Sequence, residues 1–330
     1  MLADDLIAAS GSRFDTIYCG AFTELAKQLR TAQRFDLSPE VMRSAFTIAH
    51  SSIGGQLRAL SLCKLPFRQV WFEWPGGYAG VPSERTDILA PIPKRMGALV
   101  ETDASLQRGT IVYAWRHDRD DTQNICPLAV TFDWRADGAE PLADLTAMKR
   151  WHLTATDAEW RDLAEKFPRV RNSARADVVA DNSRFGVVVN PMMHTFLDLA
   201  APGGFDLLMN AASKDIEGEP TLLRAAVMLL NSRNLAEYQP RPIALKLNRA
   251  RVRNGKPKLL GYTHVRIRLS RALGERAGMA ADPRAPSRLH LVRGHFKIRA
   301  TGVYWWAPFA RGTPANSGGR PLQQTRHVAP

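Results

Sequence analysis

The chain has 330 residues, 45% of them hydrophobic, and carries 45 Lys and Arg against 32 Asp and Glu for a formal net charge of +13. That apolar content excludes a disordered chain, and the length allows two domains or one large one. The charge is uneven: residues 239–330 hold 19 Lys and Arg against two acids, Glu275 and Asp282, a net of +17, while the first 238 residues come to −4.

The N-terminal third opens with helices. Ser38 is placed to cap a helix with Pro39 and Glu40 in its first turn. Behind them Val41, Ala45, Ile48, Ala49, Ile53, Leu57 and Leu60 recur at helical spacing. RQVWFEWPGG (68–77) reads as a strand ending in a Pro-Gly turn, and GTIVYAWRHD (109–118) and NICPLAVTFDW (124–134) as two more around an acidic loop. Thr156 and Glu159 form a capping box ahead of EWRDLAEKF, and PTLLRAAVMLLNS (220–232) reads as a further helix. Residues 171–216 carry no clear pattern, and no internal repeat is visible.

In the basic segment, Asn254-Gly255 between LNRARVR and KPKLL predicts a β-hairpin with a two-residue type I′ turn. Its register pairs Arg253 with Lys256 and Arg251 with Lys258. One face then gathers Arg249, Arg251, Arg253, Lys256, Lys258, His264, Arg266 and Arg268. Like charges opposite one another destabilise a hairpin, so the pattern points to a phosphate backbone that relieves the repulsion. A solvated, aggregation-resistant edge is the alternative. Further on, RLHLVRGHFKIR reads as a strand in which Gly294 permits a bulge that turns His295 toward the side of His290, and GVYWWAPFARG as a second strand.

Three chemistries compete for this last stretch. His290 and His295 could serve as base and acid for metal-free RNA cleavage, with Lys297 stabilising the phosphorane. Alternatively Tyr304, Trp305 or Trp306 stack on bases while Arg293, Lys297 and Arg311 hold phosphates. The third reading is structural, with locally bonded histidines and core tryptophans. Two histidines without a carboxylate make a poor metal site, so neither metal nor cofactor is expected. Asp118, Asp120 and Asp121 read as a solvated loop more readily than a cation site. Gly54-Gly55-Gln56 matches the release-factor tripeptide but lies inside an amphipathic helix. His194 reads as a core histidine. Glu73, between Trp71, Phe72 and Trp74, reads as a lone buried or site carboxylate. There is no P-loop, dinucleotide fingerprint or nucleophile motif. Cys19, Cys63 and Cys126 are far apart with no CxxC pair, which suits a reducing cytosol. The start MLADDLIAAS lacks the basic region of a signal peptide, and no apolar run approaches the ~20 residues of a membrane span.

The succession LNRARVRNGKPKLL, PRAPSRLHLVRGHFK, GVYWWAPFARG resembles the C-terminal region of a family spread through phages, prophages and plasmids. RGH, an aromatic pair and a final RG typify that family, which includes a type V anti-CRISPR inhibitor. The likeness runs from Lys246 to Gly312, with LPFRQVWFEW (65–74) a weaker second patch. It implies repression of the CRISPR effector nuclease through its mRNA during translation, by sensing the nascent N-terminus. It also implies that His290, Arg293, Gly294, His295, Lys297, Trp305, Trp306, Arg311 and Gly312 matter. The connection IRATG is shorter than in many members.

The expected molecule is therefore α+β. A helical and antiparallel-β region spans 1–238, where Trp71, Glu73 and Trp74 offer a protein-partner surface with exposed aromatics. A basic, β-hairpin-rich region spans 239–330 and binds RNA. The expected function is that of a mobile-element anti-defence protein in the bacterial host cytoplasm. Its partners are RNA or the translating ribosome and the nascent effector nuclease, with no membrane contact. The alternatives are a metal-independent ribonuclease using His290 and His295, and a phage structural or packaging accessory protein.

Overall fold

A computed structural model of the chain describes residues 1–12, 16, 20–51, 53–60, 63–77, 93–117, 121–135, 142, 156–166, 168–193, 212, 218–233, 235–267, 290–292, 295–299, 302–306 and 309–311. Its first half contains α1 (Leu2–Ala9), α2 (Ala21–Thr31), β1 (Gln33–Leu37), α3 (Pro39–Ala49), α4 (Ile53–Leu60), β2 (Gln69–Pro75), β3 (Pro93–Thr102), β4 (Arg108–His117) and β5 (Gln123–Asp133). Then come α5 (Asp157–Lys166), α6 (Pro168–Arg171), α7 (Arg175–Asn182), β6 (Phe185–Val189), a 3₁₀ turn (Pro191–Met193), α8 (Glu219–Leu230), β7 (Ala236–Arg241), α9 (Leu245–Arg253) and β8 (Tyr262–Ile267). Four short strands close the list: β9 (His290–Val292), β10 (His295–Arg299), β11 (Gly302–Trp306) and β12 (Phe309–Arg311).

Eight strands form one mixed sheet in the order β6-β5-β4-β3-β2-β1-β8-β7. β1 runs parallel to both its neighbours, β2 and β8, and every other pairing is antiparallel. The near-continuous apolar run of β2 fits a strand covered on both faces. One face packs Trp71, Leu99, Val112, Ala114, Ile125 and Ala129 under α1 and α2. The other packs Phe72, Trp74, Ala98, Val100, Ile111, Tyr113 and Val130 under α3, α4 and α8. The chain is thus α+β with a helical layer on each side of the sheet. Among the described residues no helix is long and apolar enough to cross a membrane.

Several local readings hold at atomic detail. The Ser38 side chain accepts from Val41 N–H at the start of α3. Thr156 and Glu159 bond reciprocally: Glu159 N–H to Thr156 Oγ1 at 3.3 Å, Thr156 N–H to Glu159 Oε2 at 2.7 Å. The tripeptide 54–56 lies within α4, as its helical pattern implies, and Gln56 is buried. Its amide donates to Ile48 C=O at 2.8 Å and accepts from Arg224 Nη2 at 3.2 Å. Arg224 also pairs with Asp181, and both are fully buried, so α4, α7 and α8 are joined through charge. In the stretch that carried no pattern lie α7, β6 and the 3₁₀ turn.

The predicted hairpin at Asn254-Gly255 is not formed. LNRARVR is α9, and the dipeptide ends it. A type I′ turn needs positive φ at both central residues, but Asn254 has φ −91° and Gly255 alone is left-handed, at +67°. Lys256 N–H donates to Arg251 C=O at 2.9 Å and Gly255 N–H to Val252 C=O at 3.0 Å, the paired bonds of a Schellman cap. Asn-Gly serves either structure, and the Leu, Lys, Arg and Ala around it favour a helix over a strand. His264 and Arg266 lie instead on β8, between β1 and β7. Position 238/239 falls inside β7, so residues on both sides of it share the large sheet.

Both C-terminal strands read from the sequence are present: RLHLVRGHFKIR contributes β9 and β10, GVYWWAPFARG contributes β11 and β12, and one antiparallel register runs through both pairs, from Arg299↔Gly302 to His295↔Trp306 and from Val292↔Phe309 to His290↔Arg311.

Candidate nucleic-acid interface

The segment from β7 to β8 builds a basic arm. After α9 the chain turns at Gly255 and runs back extended to Leu260. Its backbone is held by a side chain instead of a partner strand: Asn248 Oδ1 accepts from Leu259 N–H and Asn248 Nδ2 donates to Leu259 C=O, both at 2.9 Å. Arg251 Nε donates to Pro257 C=O at 2.9 Å. Leu260 packs against the cluster under α1 and α2, and its N–H donates to Asp4 Oδ1 at 3.3 Å. Asn248 and Arg251 therefore mark the side of α9 that meets the arm. Lys246, Arg249 and Arg253, at i, i+3 and i+7, share the opposite side. All three are exposed, as are Lys256 and Lys258.

Many cations elsewhere in the fold are paired with acids. Lys27 pairs with Glu24, Arg43 with Glu40, Arg95 with Asp36 and Glu73, Arg116 with Asp5, and Arg175 with Asp157. Lys246, Arg249, Arg253, Lys256 and Lys258 enter no ion pair among the described residues, and no acid occurs between Glu237 and Glu275. The sequence pattern singled out Arg249, Arg251, Arg253, Lys256 and Lys258, and the structure keeps them together on new terms. Arg251 acts as an internal brace, and Lys246, overlooked in the strand reading, joins the outer face. Its helical spacing from Arg249 and Arg253 was the available signal.

A second basic element is the ribbon of β10 and β11. Its register sets Lys297 opposite Tyr304 and Phe296 opposite Trp305. Phe296 packs against the core beneath α3, α4 and α8. On the other face Lys297 Nζ lies 4.6 Å from the Trp306 ring centroid, and Arg299 Cζ lies 5.7 Å from that of Tyr304. Arg299 is thus added to the expected Lys297, Tyr304 and Trp306.

The remaining expectations divide. Arg268, Arg293, Gly294, Gly312, Asp118, Asp120, His194 and Cys19 lie outside the described residues. Arg266 is exposed on β8. His290 pairs across β9–β12 with Arg311, while His295 pairs across β10–β11 with Trp306. The bulge expected at Gly294 to bring both histidines to one side falls outside the described residues. Asp121 pairs with Lys94 at 3.3 Å, and no group of three metal-binding side chains occurs among the described residues.

The exposed-aromatic surface expected at Trp71, Glu73 and Trp74 is also corrected, because all three are buried. Glu73 instead organises the sheet. It accepts from Leu2 N–H at 2.6 Å and Ala3 N–H at 3.2 Å at the start of α1, from Trp71 Nε1 at 3.2 Å and from Arg95 Nε at 2.6 Å. Arg95 reaches on to Asp36 at 2.7 Å, and Asp36 meets His264 Nδ1 at 2.7 Å. Burial pulls the Arg95 guanidinium down, but Glu73 and Asp36 outweigh it and hold the group above its ordinary value. The space beside this row, lined by Arg34, Trp71, Glu73 and Tyr262, has no room for a water molecule. The row ties strands β3, β2, β1 and β8 to α1 and offers a substrate no cavity.

Comparison of the chain with family models, with curated proteins and with solved structures finds no match.

Proposed function

We propose that this chain binds RNA through its C-terminal basic segment. In this role it is a mobile-element anti-defence protein that lowers expression of a type V CRISPR nuclease by acting on the translated message. The observation that carries the RNA-binding reading is the arm: five exposed cations on α9 and its return, unpaired by any acid among the described residues. A like-charged cluster repels itself in water, and neutralising phosphates both relieves the repulsion and releases counterions. The anti-defence role rests on the resemblance over residues 246–312.

Full-length protein and a labelled RNA test the binding. Five phosphate contacts give a slope of log affinity on log salt of about −3.5, which is roughly a hundredfold loss between 50 and 200 mM salt. Arg249→Glu with Arg253→Glu should flatten that slope, while Arg251→Glu should also disturb the arm itself. Salt-independent binding, or none at 50 mM salt, removes the proposal. The anti-defence role is tested in cells: repression of the nuclease message should vanish when frameshifts recode its N-terminal peptide with little change to the RNA. Equal repression of the frameshifted message sinks the nascent-chain reading.

A further inference from the structure

We infer that the β10–β11 ribbon is a stacking platform for two unpaired bases, so the ligand of this chain is single-stranded RNA with its bases splayed apart. The inference rests on the RNA-binding reading and specifies what the RNA must look like. Phe296 anchors the ribbon to the core. Strand alternation therefore turns Lys297, Arg299, Tyr304 and Trp306 to the opposite face. Lys297 and Arg299 are exposed, and Trp306 keeps 40% of its surface in water, which is high for so large an apolar ring.

Along this face cation and ring alternate: Arg299 over Tyr304, Lys297 over Trp306. A flexible cation over a ring is a weak, displaceable cover at an exposed site. A base that takes its place stacks on the ring, and the displaced ammonium or guanidinium is then beside the phosphate of the same nucleotide. Stacking of this kind tolerates any base and exceeds an exposed cation–π contact.

Spacing decides between single and double strands. Tyr304 and Trp306 are two residues apart on one strand, so their side chains rise about 6.8 Å from one another. Bases stacked in a duplex rise about 3.4 Å. Two neighbouring bases seated on these rings are therefore separated by twice the helical rise, which an extended single strand reaches and a duplex does not. The arm, by contrast, contacts only phosphates and does not discriminate. Its anchor, Leu260, and the ribbon's anchor, Phe296, belong to the clusters on opposite faces of the sheet, so the two surfaces are separable by mutation.

Three probes of equal length test this with the full chain: a 12-nucleotide RNA of mixed sequence, the same RNA annealed to its complement, and a 12-nucleotide abasic strand. The intact single strand should bind at least tenfold more tightly than either of the others. Trp306→Leu with Tyr304→Leu should bring it down to the abasic strand's affinity and leave the salt slope unchanged. Trp306→Phe with Tyr304→Phe keeps both rings and should retain most of the preference, which separates lost stacking from a misfolded ribbon. Equal affinity for intact and abasic strands, preference for the duplex, or leucine variants that bind like wild type all overturn the platform while leaving the arm's phosphate binding in place. Failure of all three probes to bind at 50 mM salt overturns both.

Discussion

Replacing Arg95 with Met should cost about 3 kcal/mol of folding stability, and the reason lies in Glu73. That carboxylate is fully buried and held by four donors, of which Arg95 Nε alone carries charge. Met fills the space of the Arg stem but leaves a buried charge with three neutral N–H groups. Breaking a buried ion pair from one side costs about 3–5 kcal/mol. The Arg95 side chain is 22% exposed, so water entering from that edge places the value at the low end. Glu73→Gln alone should cost about 2 kcal/mol, the worth of a charge-assisted bond and of a negative charge at the start of α1. The two losses share one cause. The double variant should therefore cost about 3 kcal/mol, well short of the sum of about 5 kcal/mol, a coupling of roughly 2 kcal/mol. Urea unfolding followed by tryptophan fluorescence measures all three, with Trp71 Nε1 bonded to Glu73 itself as one reporter. A loss under 1 kcal/mol for Arg95→Met, or strict additivity, would refute the claim that this pair carries the α1–sheet junction.

Three further outcomes follow from single contacts. A Cβ at Gly97 would lie 2.1 Å from Trp71 Cζ2, so Gly97→Ala should destabilise by about 1–3 kcal/mol by overpacking, and an unchanged urea midpoint would count against it. Burial pushes the Glu219 carboxyl up to about 7, and its Oε2 has no partner among the described residues. A folded-state value above the unfolded one means the contribution is full below about pH 4.5 and is lost as pH rises through 7, so Glu219→Gln should match wild type at pH 4 and be more stable at pH 8 by up to about 3 kcal/mol. Equal pH–stability curves for the two proteins would refute that. The Cys63 thiol, pushed up to about 12 by burial and bonded to Ala59 C=O, should resist iodoacetamide at pH 8 until urea unfolds the chain, and labelling of the native protein, read by peptide mass, would contradict its placement.

Much of the fold was legible because periodicity is a local property. Alternation and unbroken apolar runs located β2, β4 and β5, and 3.6-residue spacing with Ser38 and Thr156 as caps located α3, α4 and α5. Each of these signals is complete within a dozen residues. Glu73 was legible as buried or functional but not as one or the other, since its four donors come from α1, its own strand and β3.

Composition alone determined that the excess positive charge sits after residue 238, and no packing arrangement alters that. Tertiary structure decided which side chains share a surface. Asn254-Gly255 satisfies both a hairpin and a helix cap. The choice fell to the helix because Asn248 can bond both backbone groups of Leu259, a contact eleven residues away that leaves Lys246, Arg249 and Arg253 on one outward face. The burial of Trp71 and Trp74 was likewise settled by α1 and α2 on one side of the sheet and α3, α4 and α8 on the other. Whether an aromatic side chain on a strand meets solvent depends on what covers its face, and that cover comes from residues distant in the chain.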